Sequence, residues 1–326
     1  MKATAAIKEA TKVKAMAVLR NAIITMMLGV FCFIGNAYAI SPENHRPVTR
    51  AAISAYKSCL EQLAVEDTLS EGSEAIVEFS KLEDESPLIK RYFNWHFYDA
   101  YKGTEYAMGE SATGARKSMH HIYAEHADDL IDALENNRRE EIYEYTGRLL
   151  HLIQDMTVPA HVAPIYHYKF LWFDQSDYFD ELPEWNTAGF TKPGELCRFD
   201  GAAIKDIKLQ LEMIMQDTAL GTRERIRQKI LVEDGHRLAG KTWQAFWVIR
   251  NPDDDASYPG TKYGFAPYGD EGRDGFRKLC ESSDSGRDAC MGFFRHSFDD
   301  AVTSTVKTLL LVNSINLENM RGEADK

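Results

Sequence analysis

Apolar residues recur at steps of three and four along most of this chain, and that spacing constrains the fold more than any other feature. Near the start of the first long segment the positions are Val48, Ala52, Tyr56, Cys59 and Leu63, which is the period of an amphipathic α-helix. Similar patterns occur at about residues 88–101, 118–136, 140–155, 204–220, 223–247 and 293–317. Alternating strand patterns are hard to find. The sequence therefore predicts an all-α fold, a multi-helix single domain.

Two segments interrupt the helical pattern, at about residues 171–200 and 251–292. Glycine, proline, aspartate and tyrosine accumulate in the second of them, and these residue types favour turns. We expect both segments to be loop insertions in the helical domain. Hydrophobic residues make up 44% and charged residues 27% of the 326 residues, which excludes a disordered or collagen-like chain.

The first 39 residues have the composition of an export signal. Five basic residues and one acid accompany an uncharged apolar stretch at 22–35, which is followed by Ala37-Tyr38-Ala39. This order predicts a signal peptide over residues 1–39, cleavage after Ala39, and a working chain of residues 40–326 in the periplasm or outside the cell. A retained anchor and lipidation at Cys32 are the alternatives, although the apolar stretch is shorter than the roughly 20 residues that span a bilayer.

Charge and cysteine content change if that leader is removed. The full chain has a net charge of -12, and loss of five bases and one acid would take it to -16, which does not favour general binding to polyanions. Four cysteines would remain, an even number in a compartment that permits disulfides: Cys59, Cys197, Cys280 and Cys290. Cys280 and Cys290 bracket a short polar segment and are the pair we expect first, although four cysteines allow three connectivities.

The strongest chemical signal is the run from His151 to His161. His151 and Asp155 are four residues apart, so both side chains lie on one face of a helix. We expect Pro159 to end that helix and His161 to follow on the next turn. Imidazole nitrogen and carboxylate oxygen are zinc ligands, and the apolar neighbours indicate a buried pair that needs a compensating partner such as a metal. A hydrogen-bonded pair without metal is the alternative.

This run resembles the central metal motif of the bacterial zinc-dependent phospholipase C family. Two other segments resemble motifs of that family in the same order. One is residues 94–99, which include His96, with Asp84 twelve residues earlier; the other is residues 45–49, which begin with His45. The resemblance covers about half of the chain and implies a helical domain that binds up to three zinc ions.

The resemblance also implies a ligand set. For the first ion it implies Asp84, His96, His151 and Asp155, and it gives Asp84 a second role in orienting or deprotonating the attacking water. For the second ion it implies His45 and the amino group of Ile40 that cleavage after Ala39 would free, with Asp155 bridging both ions. For the third ion it implies His161, His167 and Asp180.

The third set departs from the usual histidine–glutamate spacing of the family, so two interpretations stay open. His167 with Asp180 is favoured because the pair Phe179-Asp180 resembles the aromatic–glutamate pair of the family. Asp177 with Glu181 is the alternative. The histidines outside these motifs are expected to be surface or structural residues: His120, His121, His126, His236 and His296.

Phospholipase C activity is the function that the resemblance implies, with hydrolysis of phospholipids to diacylglycerol and a phosphorylated head group. The partners would be the phospholipid substrate and, transiently, a membrane surface, and no feature indicates an obligate protein partner. The single-strand-specific zinc nucleases have a similar scaffold, so a nucleic acid substrate is an alternative. A charge of -16 after cleavage does not help approach to a nucleic acid backbone. A secreted metal-binding protein without catalytic activity is the third hypothesis.

Overall fold

The computed structural model describes residues 42–85, 96–98, 119–163, 165, 167, 169–170, 173–174, 177–186, 188–190, 196–197, 206–249, 268–282 and 284–324. Of the residues singled out from the sequence, Ile40 lies outside this part of the chain, and so does the side chain of Asp84.

The described residues form an all-α domain, as the apolar spacing predicts. Its α-helices are α1 (Pro42–Leu63), α2 (Ser73–Phe79), α3 (Leu82–Glu85), α4 (Met119–Glu135), α5 (Arg139–Asp155), α6 (Pro159–Val162), α7 (Ile207–Arg227), α8 (Gly275–Cys280) and α9 (Asp284–Ala324). Short 3-10 helices cover Ser70–Gly72, Pro183–Asn186 and Trp243–Ala245, and β1 (Lys169–Phe170) pairs antiparallel with β2 (Phe173–Asp174).

Helix α5 is the centre of the fold. It packs against α2, α4 and α9, with further contacts to α1, α3 and α7. Every residue from Leu149 to Asp155 is buried, so the last turns of α5 have no solvent-facing side. A polar side chain on these turns therefore lies in the core, where it needs a partner within the protein.

The predicted helix over residues 223–247 is wrong beyond its first turn. Helix α7 ends at Arg227, and an antiparallel bridge then folds the following segment back on itself. Gly235 and Gly240 have φ angles of 89° and 81°, in the left-handed region that a helix cannot continue through. The apolar spacing of this segment comes from burial of its turns, not from a helix.

Pro159 does not end the preceding helix. Helix α5 ends at Asp155, and Pro159 begins α6 instead, because proline lacks the N–H that the first turn of a helix leaves unpaired. The predicted insertion over residues 251–292 is also wrong at its end, where α8 and the start of α9 lie. Of the helix predicted at 88–101, only residues 96–98 are described, and they are not helical.

Aromatic rings hold the loop that follows β2. Phe179 is fully buried, and five rings lie with their centroids within 6.2 Å of its own: Trp185, Trp247, Phe276, Phe293 and Phe294. Such contacts fix both ring and backbone at this position. The residues next to Phe179 therefore have a defined place in the domain.

Two cysteine pairs lie at disulfide distance. Cys280 pairs with Cys290, as predicted, and joins α8 to α9. Cys59 pairs with Cys197 and joins α1 to a residue 138 positions later. Within the described part of the chain, no helix is both long enough and apolar enough to cross a membrane.

Candidate metal centre

Two groups of buried histidine and aspartate side chains lie at the C-terminal end of α5. The first group is His45, His151 and Asp155, and the second group is His161, His167 and Asp180. Within each group the nitrogen and oxygen atoms lie within 4.8 Å of one another. Either group could therefore hold a metal ion.

The carboxylate of Asp155 connects the two groups. Its Oδ1 atom is 3.6 Å from Nε2 of His45. Its Oδ2 atom is 2.9 Å from Nδ1 of His96, 3.4 Å from Nε2 of His151 and 3.7 Å from Nδ1 of His161. Burial raises the pKa of Asp155, but the neighbouring histidines, His151 first, outweigh burial and hold this pKa well below its usual range. Four imidazole rings thus surround one buried anion.

Within the described part of the chain, Asp155 and Asp180 have no well-aligned hydrogen-bond donor. Among the described residues, no donor has bonding geometry to either oxygen of Asp155 or of Asp180, and Nε2 of His161 also has no hydrogen-bond partner. A buried carboxylate without donors is costly unless a cation offsets its charge. The pKa of His161 is lowered to about 3, mainly by burial. His167 and His96 also lower it, and Asp155 has the opposite but smaller effect. This imidazole is therefore neutral and able to bind a cation. The residues of both groups fit a metal ion.

Helices α5, α1 and α6 position most of these side chains. His151 and Asp155 lie one turn apart on α5, and His45 lies in the first turns of α1. His161 on α6 donates from Nδ1 to the carbonyl oxygen of His96 at 2.6 Å, and the Tyr98 N–H donates to the carbonyl oxygen of His161 at 3.0 Å. This pair of hydrogen bonds places the imidazole of His96 beside Asp155.

In the second group, Nε2 of His167 lies 3.0 Å from Oδ2 of Asp180. Burial disfavours the charged form of His167, but Asp180 outweighs burial and raises the pKa of this histidine. Burial also raises the pKa of Asp180, against the opposing effect of His167. A cation bound between these two atoms would take the place of a proton, because metal ligands bind in their deprotonated form.

Asp180, and not Asp177, lies beside His167. The side chain of Asp177 accepts hydrogen bonds from the Phe179 N–H at 2.9 Å, from the Trp247 indole at 2.8 Å and from the Tyr268 hydroxyl at 3.1 Å. Its oxygens are thus already satisfied, and Glu181 is exposed. The geometry favours the pair His167 and Asp180 over Asp177 and Glu181.

Two ligands that the resemblance implies lie outside the part of the chain that the structure describes. Ile40 precedes the described residues, and the side chain of Asp84 is not among them. The backbone of Asp84 belongs to α3, which packs against α5 and α1.

The remaining histidines belong to neither group. Nε2 of His126 lies 3.1 Å from Oε1 of Glu83, a buried carboxylate that also pairs with Arg148. His236 accepts from a backbone N–H two residues later, and His296 donates to the carbonyl oxygen one turn earlier on α9. These contacts are structural. His120 and His121 lie on α4.

Sequence reasoning missed Gln154 and Asn44. Gln154 is fully buried, and its Oε1 atom is 2.8 Å from Nδ1 of His45. It lies three residues after His151, which places it on the same helix face. This spacing is the sequence feature that could have identified Gln154 as part of the site. Asn44 donates from Nδ2 to the carbonyl oxygen of Asp180 at 2.9 Å, which ties the first turns of α1 to the loop of the second group.

No model of a known protein family matches this chain, and a search of curated proteins finds no relative. The geometry of the two groups is therefore the main evidence on function.

Proposed function

We propose that this protein is an exported zinc-dependent phosphodiesterase, and that phospholipids are its substrates. The observation that supports the proposal is the meeting of two buried histidine and aspartate groups at the carboxylate of Asp155. Neighbouring cation sites of this donor type suit the hydrolysis of phosphate esters, because they can contact both the attacking and the leaving oxygen.

The side chains of the two groups would hold the ions. His45, His151 and Asp155 would bind one, and His161, His167 and Asp180 another. Bound zinc would lower the pKa of a coordinated water and offset the charge that develops on the phosphate oxygens.

The protein environment would supply orientation and proton transfer. Burial of both groups keeps bulk water away from the donor atoms, and the hydrogen bonds of the histidines fix their rings. His96 would be a further ligand beside Asp155, since its Nδ1 atom lies 2.9 Å from Oδ2. By the resemblance to phospholipases C, Asp84 would orient the attacking water or take its proton, and the amino group of Ile40 would be a further ligand.

Phospholipid is the substrate that the sequence favours among phosphodiesters. The motifs at residues 45–49, 94–99 and 151–161 resemble those of the phospholipase C family, and a net charge of -16 after cleavage opposes contact with nucleic acid. Contact with a membrane would be transient and would involve loops of the catalytic domain.

Export is proposed from the leader and from the cysteines. Residues 1–39 have the order of a signal peptide. The pairs Cys59–Cys197 and Cys280–Cys290 are of the kind that persists in an oxidising compartment.

Metal content and substrate preference test the proposal together. The protein with its terminus at Ile40 would be purified, its zinc counted by mass spectrometry, and hydrolysis of phosphatidylcholine micelles compared with hydrolysis of single-stranded DNA. We expect at least two zinc ions and preference for the lipid. Preference for DNA would identify a nuclease, zinc without hydrolysis would identify a metal-binding protein, and less than one zinc ion would end the proposal.

Variants of the first group test its role. We expect His151→Ala and Asp155→Asn to lose bound zinc and to lower hydrolysis to the level of the buffer blank. His296→Ala is the matched control, because His296 lies on α9 outside both groups, and it should keep both properties. A tag left ahead of Ile40 should sharply reduce activity, whereas full activity of the tagged protein would remove Ile40 from the site.

A further inference from the structure

The histidines of the two groups share one arrangement: Nδ1 of each faces a carbonyl oxygen. Those of His151, His161 and His167 face the backbone oxygens of Ser80 at 2.9 Å, His96 at 2.6 Å and Ile165 at 2.8 Å. An Nδ1–H that donates to a carbonyl leaves the lone pair on Nε2, the nitrogen that would bind a metal. His45 differs from these three because its acceptor is a side chain, that of Gln154.

The amide of Gln154 is held at both ends. Its Oε1 atom lies 2.8 Å from Nδ1 of His45. Its Nε2 atom donates to the hydroxyl oxygens of Thr49 at 2.9 Å and Thr305 at 3.3 Å. Gln154 and both threonines are fully buried, so water does not compete for these hydrogen bonds. The amide nitrogen is used by the threonines, and the amide oxygen is directed at His45.

We propose that Gln154 is a positioning residue that fixes His45 as the Nδ1–H tautomer and turns its Nε2 lone pair towards Asp155. The proposal rests on the metal-binding role of the first group. His45 Nε2 lies 3.6 Å from Oδ1 of Asp155, and a cation shared by these atoms requires an unprotonated nitrogen there. His45 is also stacked on His151, with ring centroids 4.0 Å apart, so the ring has little freedom to turn.

Helix α5 thus contributes more than ligands to the first group. His151, Gln154 and Asp155 occupy one face of its last turn, at positions i, i+3 and i+4. Two of them are candidate ligands, and the third orients a histidine that lies 109 residues earlier. Through Thr49 on α1 and Thr305 on α9, the same amide couples the group to the packing of three helices.

Two substitutions separate an acceptor role from a packing role. Gln154→Met keeps the length of the side chain but removes the acceptor, whereas Gln154→Glu keeps an acceptor for Nδ1–H. Thr305→Val is a milder comparison. It removes the hydroxyl oxygen that accepts one N–H of the Gln154 amide, and it leaves Oε1 in place. Gln210→Met on α7, outside the centre, is the control for a glutamine-to-methionine change.

The first readout is the tautomer of His45 in the metal-free protein. Long-range proton–nitrogen NMR spectra of histidine-labelled protein distinguish the two tautomers, and the His45 signals are assigned by their loss in His45→Asn. We expect the Nδ1–H form in the wild type, Gln154→Glu and Thr305→Val, and a mixture or the Nε2–H form in Gln154→Met. An Nε2–H form in the wild type, or an unchanged tautomer in Gln154→Met, would overturn the proposal.

The second readout is zinc affinity, measured by competition with a chelator. We expect Gln154→Met to lower the zinc affinity of the first group by about 10- to 100-fold and to leave the other sites unchanged. Gln154→Glu should keep the wild-type affinity. Equal affinities of Gln154→Met and the wild type would overturn the proposal. Circular dichroism shows whether each variant is folded. Failure of the zinc-loaded wild type to hydrolyse phosphodiesters would end the proposed function and leave the role of Gln154 standing.

Discussion

At the scale of single residues, Asp177 and Asp180 lie three positions apart and have different tasks. Asp177 accepts hydrogen bonds from three donors and anchors its loop. Asp180 has an imidazole nitrogen at 3.0 Å and no donor with bonding geometry among the described residues. A carboxylate that already has its hydrogen bonds stabilises the fold, whereas one facing a histidine without them is suited to a cation.

Asparagine substitutions at these two positions should have opposite effects. Asp180→Asn would weaken the candidate oxygen ligand, and under the proposed function we expect the loss of one bound zinc ion with no loss of stability in the metal-free protein. Asp177→Asn turns an amide nitrogen towards donors, and we expect the free energy of unfolding to fall by about 2 kcal/mol. Mass spectrometry and urea unfolding measure the two effects. Loss of zinc in Asp177→Asn at unchanged stability would make Asp177 the ligand.

At the scale of elements, the close approach of α2 to α5 sets the position of the centre. A Cβ atom at Gly147 would lie 2.5 Å from Cβ of Phe79 and 2.8 Å from the carbonyl oxygen of Ile76. One turn further along α5, His151 donates to the carbonyl oxygen of Ser80, directly after α2. The absence of a side chain at Gly147 therefore allows the helix contact that brings this acceptor to the histidine.

Gly147→Ala tests the need for this contact. The added methyl group meets backbone, which cannot rotate away, so we expect the free energy of unfolding to fall by about 2 kcal/mol. Gly221→Ala on α7 is the control, because its Cβ would meet open space, and helix propensity should then raise stability by up to about 1 kcal/mol. Thermal and urea unfolding measure both. Equal effects at the two positions would contradict the packing argument.

At the scale of the whole molecule, the two cysteine pairs constrain the chain very differently. Cys59–Cys197 closes a loop of 138 residues and connects α1, which carries His45, to the segment beyond the second group. Cys280–Cys290 closes a loop of 10 residues between two helices that follow each other. A longer closed loop restricts the unfolded chain more strongly.

Removal of the long-range pair should therefore cost more stability. In the chain-entropy description, Cys59→Ser with Cys197→Ser should lower the free energy of unfolding by about 2 kcal/mol more than Cys280→Ser with Cys290→Ser. Urea unfolding of the two double variants, prepared without reductant, measures the difference. An equal or smaller loss for Cys59 and Cys197 would show that loop length does not govern their contribution.

The sequence by itself determined the helical class of this protein and the part of the centre that lies within one helix. The segments at 118–136 and 140–155 match α4 and α5 closely, and His151 and Asp155 share a face because four residues make about one helical turn. These features depend on contacts within a few residues along the chain. The same apolar spacing predicted a helix wrongly at residues 223–247. Such spacing shows which residues are buried, but it does not show that two glycines adopt positive φ angles.

Only the tertiary structure decided which distant groups meet. It brought His45 on α1 to Gln154 on α5, placed the carbonyl oxygen of Ser80 at His151, and put Asp180 instead of Asp177 beside His167. Each of these contacts depends on how helices and loops far apart in sequence pack together. Every residue has a backbone carbonyl, so residue types do not identify the one that accepts from a histidine. Residue types and local spacing can therefore indicate ligands, whereas packing decides which nitrogen each histidine presents and which carboxylate is left without donors.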